Sequence, residues 1–196
     1  MDKFKLEKLQ SFVDFIKTIR LEYYEKLSQL SNKKFIIDKL PMNFRWIGFI
    51  VKAFPEAKII HIQRNPMAIC WSNYRINFPD PGMDFSLSQK DTAKYYILYD
   101  DLIKFWSEKL KEKIIHIRYE SFVNDFENET FNLVEKLGIK WEENLKNYSE
   151  NIRPVQTASL LQVRGTIKKN TSDEWKKYQD HLKIMQETLD SAKIKY

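Results

Sequence analysis

The stretch that most restricts what this chain can become is AKIIHIQRNPMAICWSNY, from Ala57 to Tyr74. Its first half holds Ile59, Ile60 and Ile62 between Pro55 and the Asn65-Pro66 pair. A short apolar run bounded in that way predicts a strand buried on both faces, as in a parallel sheet. The second half begins with a residue suited to cap a helix, Asn65, and a proline at the first helical position, Pro66. A strand that runs straight into a helix start is expected to aim unpaired backbone N–H groups and the positive end of the helix dipole at the strand's carboxyl edge. Open α/β sheets hold ligands at that edge, and an anion suits it best. Arg64 adds a charge there.

Ser72 follows Asn65 by seven positions. At 100° per residue that is nearly two turns, which returns Ser72 to the side of the cap, roughly 10 Å along the axis. Helical side chains lean toward the N-terminus and an arginine is long, so Arg64 and Ser72 can close on one phosphate from two sides. The plainer alternative is an ordinary strand–helix joint whose arginine makes a surface ion pair. Cys70, the sole cysteine, excludes an internal disulfide, fits a reducing compartment, and reads as a small core residue inside this helix.

The flanking chain supplies the layers such a joint needs. A helical stripe covers residues 4–30, and Phe35, Ile36 and Ile37 predict a first short strand ending at DKLP. A helix is expected from about Pro41 to Phe54. After the central joint, PDPGMDFSLSQK at 79–90 reads as a loop, with a lid or acceptor-binding segment as its functional alternative. A long helix from about Asp91 is apolar over more than half its circumference. The run KIIHIR at 113–118 then nearly repeats KIIHIQ at 58–63, which predicts two neighbouring parallel strands with His61 and His116 at matching places. Both histidines read as core-edge residues. A further helix is expected at 126–137, with Asp125 as N-cap and Gly138 just past its end.

With 196 residues the chain suffices for one domain, 1–196, and no linker divides it. Its net charge of +6 admits phosphorylated small molecules, nucleic acid or anionic lipid. The aromatics fall on helical stripes, which argues against a nucleic-acid surface. No membrane-spanning run and no signal peptide appear, so a cytoplasmic protein is expected. Gly48, Gly82, Gly138 and Gly165 are isolated, so no Walker loop is present; three histidines and one cysteine lack metal-ligand spacing; no nucleophile elbow exists.

Four motifs in order carry a more specific signal: DKLP at 38–41, RNPMAICWS at 64–72, RYESF at 118–122, and TASLLQVRG at 157–165, followed by Trp175 and Tyr178. Together they resemble the bacterial sulfotransferase family, including the domains found behind tetratricopeptide repeats, across residues 34–182. The resemblance implies an α/β fold like that of P-loop NTPases, three layers with a parallel sheet flanked by helices. It implies transfer of a sulfuryl group from 3′-phosphoadenosine-5′-phosphosulfate (PAPS) to a hydroxyl or amine, with no metal. Arg64 and Ser72 would hold the 3′-phosphate of the donor, Arg164 would add a second cation, and Tyr119 would lie against the adenine. Lys39 matches a catalytic position, where a protonated amine would neutralise charge on the group in transfer. The alternative for Lys39 is a surface lysine beside Pro41. Gln63 and Asn65 stand where relatives often carry arginine and aspartate.

The 37 residues before Asp38 contain no glycine and read as one helix, whereas relatives carry their 5′-phosphosulfate loop, an R-S-G-T-T-like turn, upstream of this motif. The expectation is therefore a sulfotransferase-like chain lacking that loop, truncated and inactive alone. The rival is a non-catalytic nucleotide-binding or interaction module that needs a partner chain to complete its sheet. Carbohydrate, peptide and small-molecule acceptors are equally compatible with the sequence, which leaves the oligomeric state open.

Overall fold

The computed structural model describes residues 3–79, 81–146 and 169–196. The chain divides into two compact units, Met1–Ala57 with Leu102–Lys111, and Lys58–Asp101 with Glu112–Tyr196.

In the first unit α1 spans Lys3–Leu30, as its stripe predicts. Its central contact residue, Ile16, is buried, while Phe12, Phe15 and Leu21 stay exposed. The helix expected after Pro41 forms in two pieces, a 3₁₀ turn Pro41–Trp46 and α2, Ile47–Ala53. Proline opens the turn because its absent N–H is not needed there. Gly48 sits in α2 where a Cβ would fall 2.5 Å from the Trp106 ring, so only a hydrogen fits. Arg20 ties α1 to the end of α2, donating to the Ala53 carbonyl at 2.6 Å and, through two nitrogens, to both Glu56 oxygens at 3.0 and 2.6 Å.

The strand expected at Phe35–Ile37 does not form. Residues 31–40 carry no helix or ladder, and Phe35, Ile36 and Ile37 are 60%, 43% and 89% exposed. A strand exists only by pairing, and the sheet among the described residues joins β1 and β2 alone. Apolar composition that pairs with no strand among the described residues leaves the run irregular.

The second unit holds that sheet. β1, Ile59–Gln63, and β2, Ile114–Arg118, pair in parallel, with Ile59 opposite Ile114, His61 opposite His116 and Gln63 opposite Arg118. The near-repeat in the sequence is thus a register. Burial on both faces holds better for β2, where Ile114 and Ile117 are buried, than for β1, where Ile60 and Ile62 are exposed. Among the described residues each strand pairs along one edge only.

α3, Pro66–Tyr74, leaves β1 with Asn65 as its N-cap; the Asn65 side chain accepts the Ala68 N–H at 3.0 Å. α4, Gln89–Leu110, runs through both units, and its Leu98 and Phe105 remain exposed. The loop before it contains a 3₁₀ turn, Asp84–Leu87. α5, Tyr119–Asn124, and α6, Phe126–Leu137, follow β2. Gly138 ends α6 at φ 70°, and the Ile139 N–H reaches back to Val134. That is the left-handed stop a glycine allows. Asp125 begins α6 without a side-chain cap bond; its carboxylate holds the Asn128 amide instead.

A 3₁₀ segment, Thr171–His181, and a last helix, α7 (Lys183–Ser191), complete the second unit. Their Trp175, Leu182, Met185 and Leu189 pack with Met67 and Cys70 of α3 in the main core. Cys70 is a core residue, as read from the sequence, and burial pushes its thiol up to about 12. Among the described residues no helix is long and apolar enough to cross a membrane.

Candidate functional site

Parallel register puts Arg64 and Tyr119 one residue beyond opposed strand ends, Gln63 and Arg118. There the Arg64 guanidinium lies over the Tyr119 ring, 4.8 Å from its centroid. Arg64 Nε–H donates to the Ser172 hydroxyl at 3.1 Å and Nη2–H to the Thr171 carbonyl at 2.9 Å. The Tyr119 and Thr171 hydroxyls are 3.0 Å apart. Among the described residues, then, Arg64 is held by neutral oxygens and an aromatic face, not by an ion pair. Such contacts orient the planar fork without a carboxylate touching it.

The carboxylate nearby acts one group removed. Glu120 Oε1 accepts the Ser172 hydroxyl at 2.6 Å and the Asn65 backbone N–H at 2.9 Å. Burial pushes the Glu120 carboxyl up; the Ser172 hydroxyl, the Asn65 and Glu120 N–H groups and the Arg118 charge outweigh it and hold the group below the ordinary carboxylate range. This corrects the picture of a helix start with unpaired N–H groups. The Asn65 N–H goes to Glu120, the Ala68 N–H goes to the Asn65 side chain, and the anion already at that end of α3 is Glu120. Arg64 itself is half-buried. Its partners Tyr119, Thr171 and Ser172, with Glu120, Asn170 and Asp173, line a cavity of about 130 Å³ that Arg64 does not line.

Of the residues singled out from sequence, Arg64 and Tyr119 come together. Ser72 lies half-buried on α3. Lys39 is exposed and belongs to the first unit, next to Asp38, whose carboxylate accepts the Tyr23 hydroxyl at 2.5 Å. Burial first, and then this acid, push the Tyr23 hydroxyl up to about 12. Arg164 falls outside the described residues.

Sequence reasoning missed Glu120, Thr171 and Ser172. Glu120 stood in the RYESF motif next to the tyrosine and could have been suspected as the first helical residue able to reach back. Nothing in the spacing joins residue 64 to residues 171 and 172; only the fold does.

His61 and His116 also meet. Their Nδ1 atoms are 2.9 Å apart, and His61 Nε2 is hydrogen-bonded to the Tyr99 hydroxyl. Burial, followed by the neighbouring His116, lowers His61 to about 4, so it is neutral near pH 7. The pair stands inside the strand pairing, three residues before Arg64 and Tyr119; His61 is half-buried, as a core-edge residue would be, while His116 is exposed.

Compared with known proteins, residues 5–143 match the model of the sulfotransferase family. The chain belongs to the sulfotransferase family. It is also 29% identical over 177 residues to an uncharacterized protein of Aquifex aeolicus (strain VF5). That match covers 89% of this chain but 23% of the relative, so the chain spans less than a quarter of that protein's length. The matched family region contains β1, α3, β2 and α5, and therefore Arg64, Glu120 and Tyr119; Thr171 and Ser172 lie beyond it. An α/β chain with a small parallel sheet and many helices fits sulfotransferase membership.

Proposed function

We propose that this chain binds the 3′-phosphoadenosine end of PAPS and serves sulfuryl transfer to a hydroxyl or amine acceptor. One observation carries the reading: Arg64, at the exit of a parallel strand, is fixed by neutral acceptors over a tyrosine ring, so its positive charge is available to an anion. A planar guanidinium suits a phosphate monoester, which it can meet with two parallel N–H bonds. Tyr119 offers an aromatic surface beside that arginine for a base. Ser72 on α3 would supply a hydroxyl to the same phosphate, and Arg164 a second cation.

The donor brings the activated sulfuryl group. Transfer of such a group is an in-line displacement in which the protein mainly positions the reactants and neutralises charge on the leaving oxygens. Lys39, protonated, would do the latter. The acceptor's proton must leave as its oxygen or nitrogen bonds to sulfur, and the segment 79–90 would shape the acceptor's seat.

Calorimetry with adenosine 3′,5′-bisphosphate tests this. We expect binding by the native chain, weakened by Arg64→Ala and, less strongly, by Ser72→Ala. Absence of binding, or binding that neither substitution changes, removes the site.

A further inference from the structure

We propose that Ser172 and Glu120 are positioning residues that aim Arg64 at its anion through a one-way hydrogen-bond relay. The inference rests on the functional reading above for the identity of the anion, but not for the relay itself.

The direction of the relay follows from the groups present. An arginine can only donate, so at 3.1 Å the Ser172 oxygen must accept from Arg64 Nε–H. The single hydrogen of that hydroxyl is then directed elsewhere, and at 2.6 Å it goes to Glu120 Oε1. The same oxygen takes the Asn65 N–H, which fastens the carboxylate to the residue just after Arg64. The loop closes over four residues: 64 to 172, 172 to 120, 120 to 65. Ser172 is 8% exposed, so water does not readily replace its partners. Thr171 gives the arginine its second acceptor and meets the Tyr119 hydroxyl, which holds the ring beneath.

This arrangement solves a charge problem. A carboxylate touching Arg64 directly would fix the guanidinium but also neutralise it, and the site would lose affinity for an anion. Interposing a hydroxyl keeps the orientation and withholds the neutralisation. The acid polarises the hydroxyl, which becomes a better acceptor. The alternative is that Glu120 merely caps α3 through Asn65 N–H, with Ser172 as filler.

The two differ under substitution. Ser172→Ala leaves the cap bond intact and breaks the relay; Glu120→Gln keeps an acceptor oxygen for both bonds and removes the charge; Glu120→Ala removes both. Two readouts are needed. In the unliganded protein, the Arg64 Nε–H proton should be protected from exchange in the native chain and in Glu120→Gln, and should exchange at least about 10-fold faster in Ser172→Ala and Glu120→Ala. Titration with adenosine 3′,5′-bisphosphate should give affinity within about 3-fold of native for Glu120→Gln. Ser172→Ala and Glu120→Ala should each weaken it about 10-fold, and the double variant should be no worse than either, since both act on one relay. Native protection and affinity in Ser172→Ala overturn the proposal, and so do additive losses. A protected Nε–H proton that Ser172→Ala exposes, with no nucleotide binding by the native chain, keeps the relay and removes the nucleotide. The two failures are thus told apart.

Discussion

Arg20 and Arg64 each lie over an aromatic ring, and their surroundings otherwise differ in kind. Arg20 sits 4.9 Å from the Tyr24 centroid and 5.7 Å from that of Phe54, and it grips Glu56 with both terminal nitrogens. Tyr24 donates to the same carboxylate. Its charge is therefore answered on the spot, at the surface of the first unit. Arg64, in the second unit, meets a serine oxygen, a backbone carbonyl and Tyr119. The first arrangement fastens two helices. The second holds a cation by neutral acceptors and a ring. The identity of the acceptor oxygens, and not the presence of an arginine over a ring, separates structure from site.

The largest effect we expect concerns what supports each arginine. Met185 is fully buried in the core shared by α3, the 3₁₀ segment and α7. Met185→Ala should lower unfolding free energy by about 2–5 kcal/mol. A loss under about 1 kcal/mol in a denaturant titration would mean that the Arg64 unit rests on something other than that core.

Next is Arg64→Ala itself. Removing hydrogen bonds from a charged donor should weaken adenosine 3′,5′-bisphosphate binding roughly 100-fold, while the melting midpoint moves little. Arg20→Ala should do the reverse, with unchanged affinity and a lower midpoint. If both variants lose stability and neither loses affinity, the contrast between the two arginines collapses.

Acid titration separates His61 from Glu56 by window. His61 stays neutral in the fold down to about 4, whereas an unfolded histidine takes up its proton near the ordinary 6.5. The unfolded chain then binds more protons, and stability falls as pH drops from 6.5 toward 4. His61→Gln should flatten that slope. Glu56 behaves the other way in origin: hydrogen bonds from Arg20 and Tyr24 hold it at about 2, so its contribution is complete above 4.5 and disappears as pH falls from there toward 2. Arg20→Ala should narrow this second, lower window, which Tyr24 still supports, and leave the first.

The smallest effect belongs to the ion pair as such. Arg20 and Glu56 are 36% and 50% exposed, and pairs of that kind weaken in salt. Raising ionic strength should narrow the midpoint difference between the native chain and Arg20→Ala. A difference independent of salt would assign the stabilisation to the Ala53 carbonyl and the rings instead.

Much of the architecture was legible residue by residue where the determinants are local. Asn65-Pro66 marks the start of α3 because capping and a fixed φ act within one turn, and Gly138 marks the end of α6 for the same reason. The near-repeat foretold the pairing of β1 and β2 because equal strands at equal distances from their helices align. Phe35–Ile37 misled because a strand exists only by pairing, which composition does not report. The site was half legible. Arg64 and Tyr119 leave adjacent strands, so register brings them together, whereas Thr171 and Ser172 arrive from more than a hundred positions away. Their approach depends on Trp175, Leu182 and Met185 entering the core with α3.

The parallel ladder also sets a rule for length. Each strand has five residues, and each delivers one side chain of the candidate site at its exit. A single codon gained or lost between Ile114 and Arg118 would turn every later side chain to the opposite face and send the tyrosine away from the guanidinium. Surface connections elsewhere can lengthen or shorten with little harm. In these two runs an insertion or deletion should do more harm than a substitution.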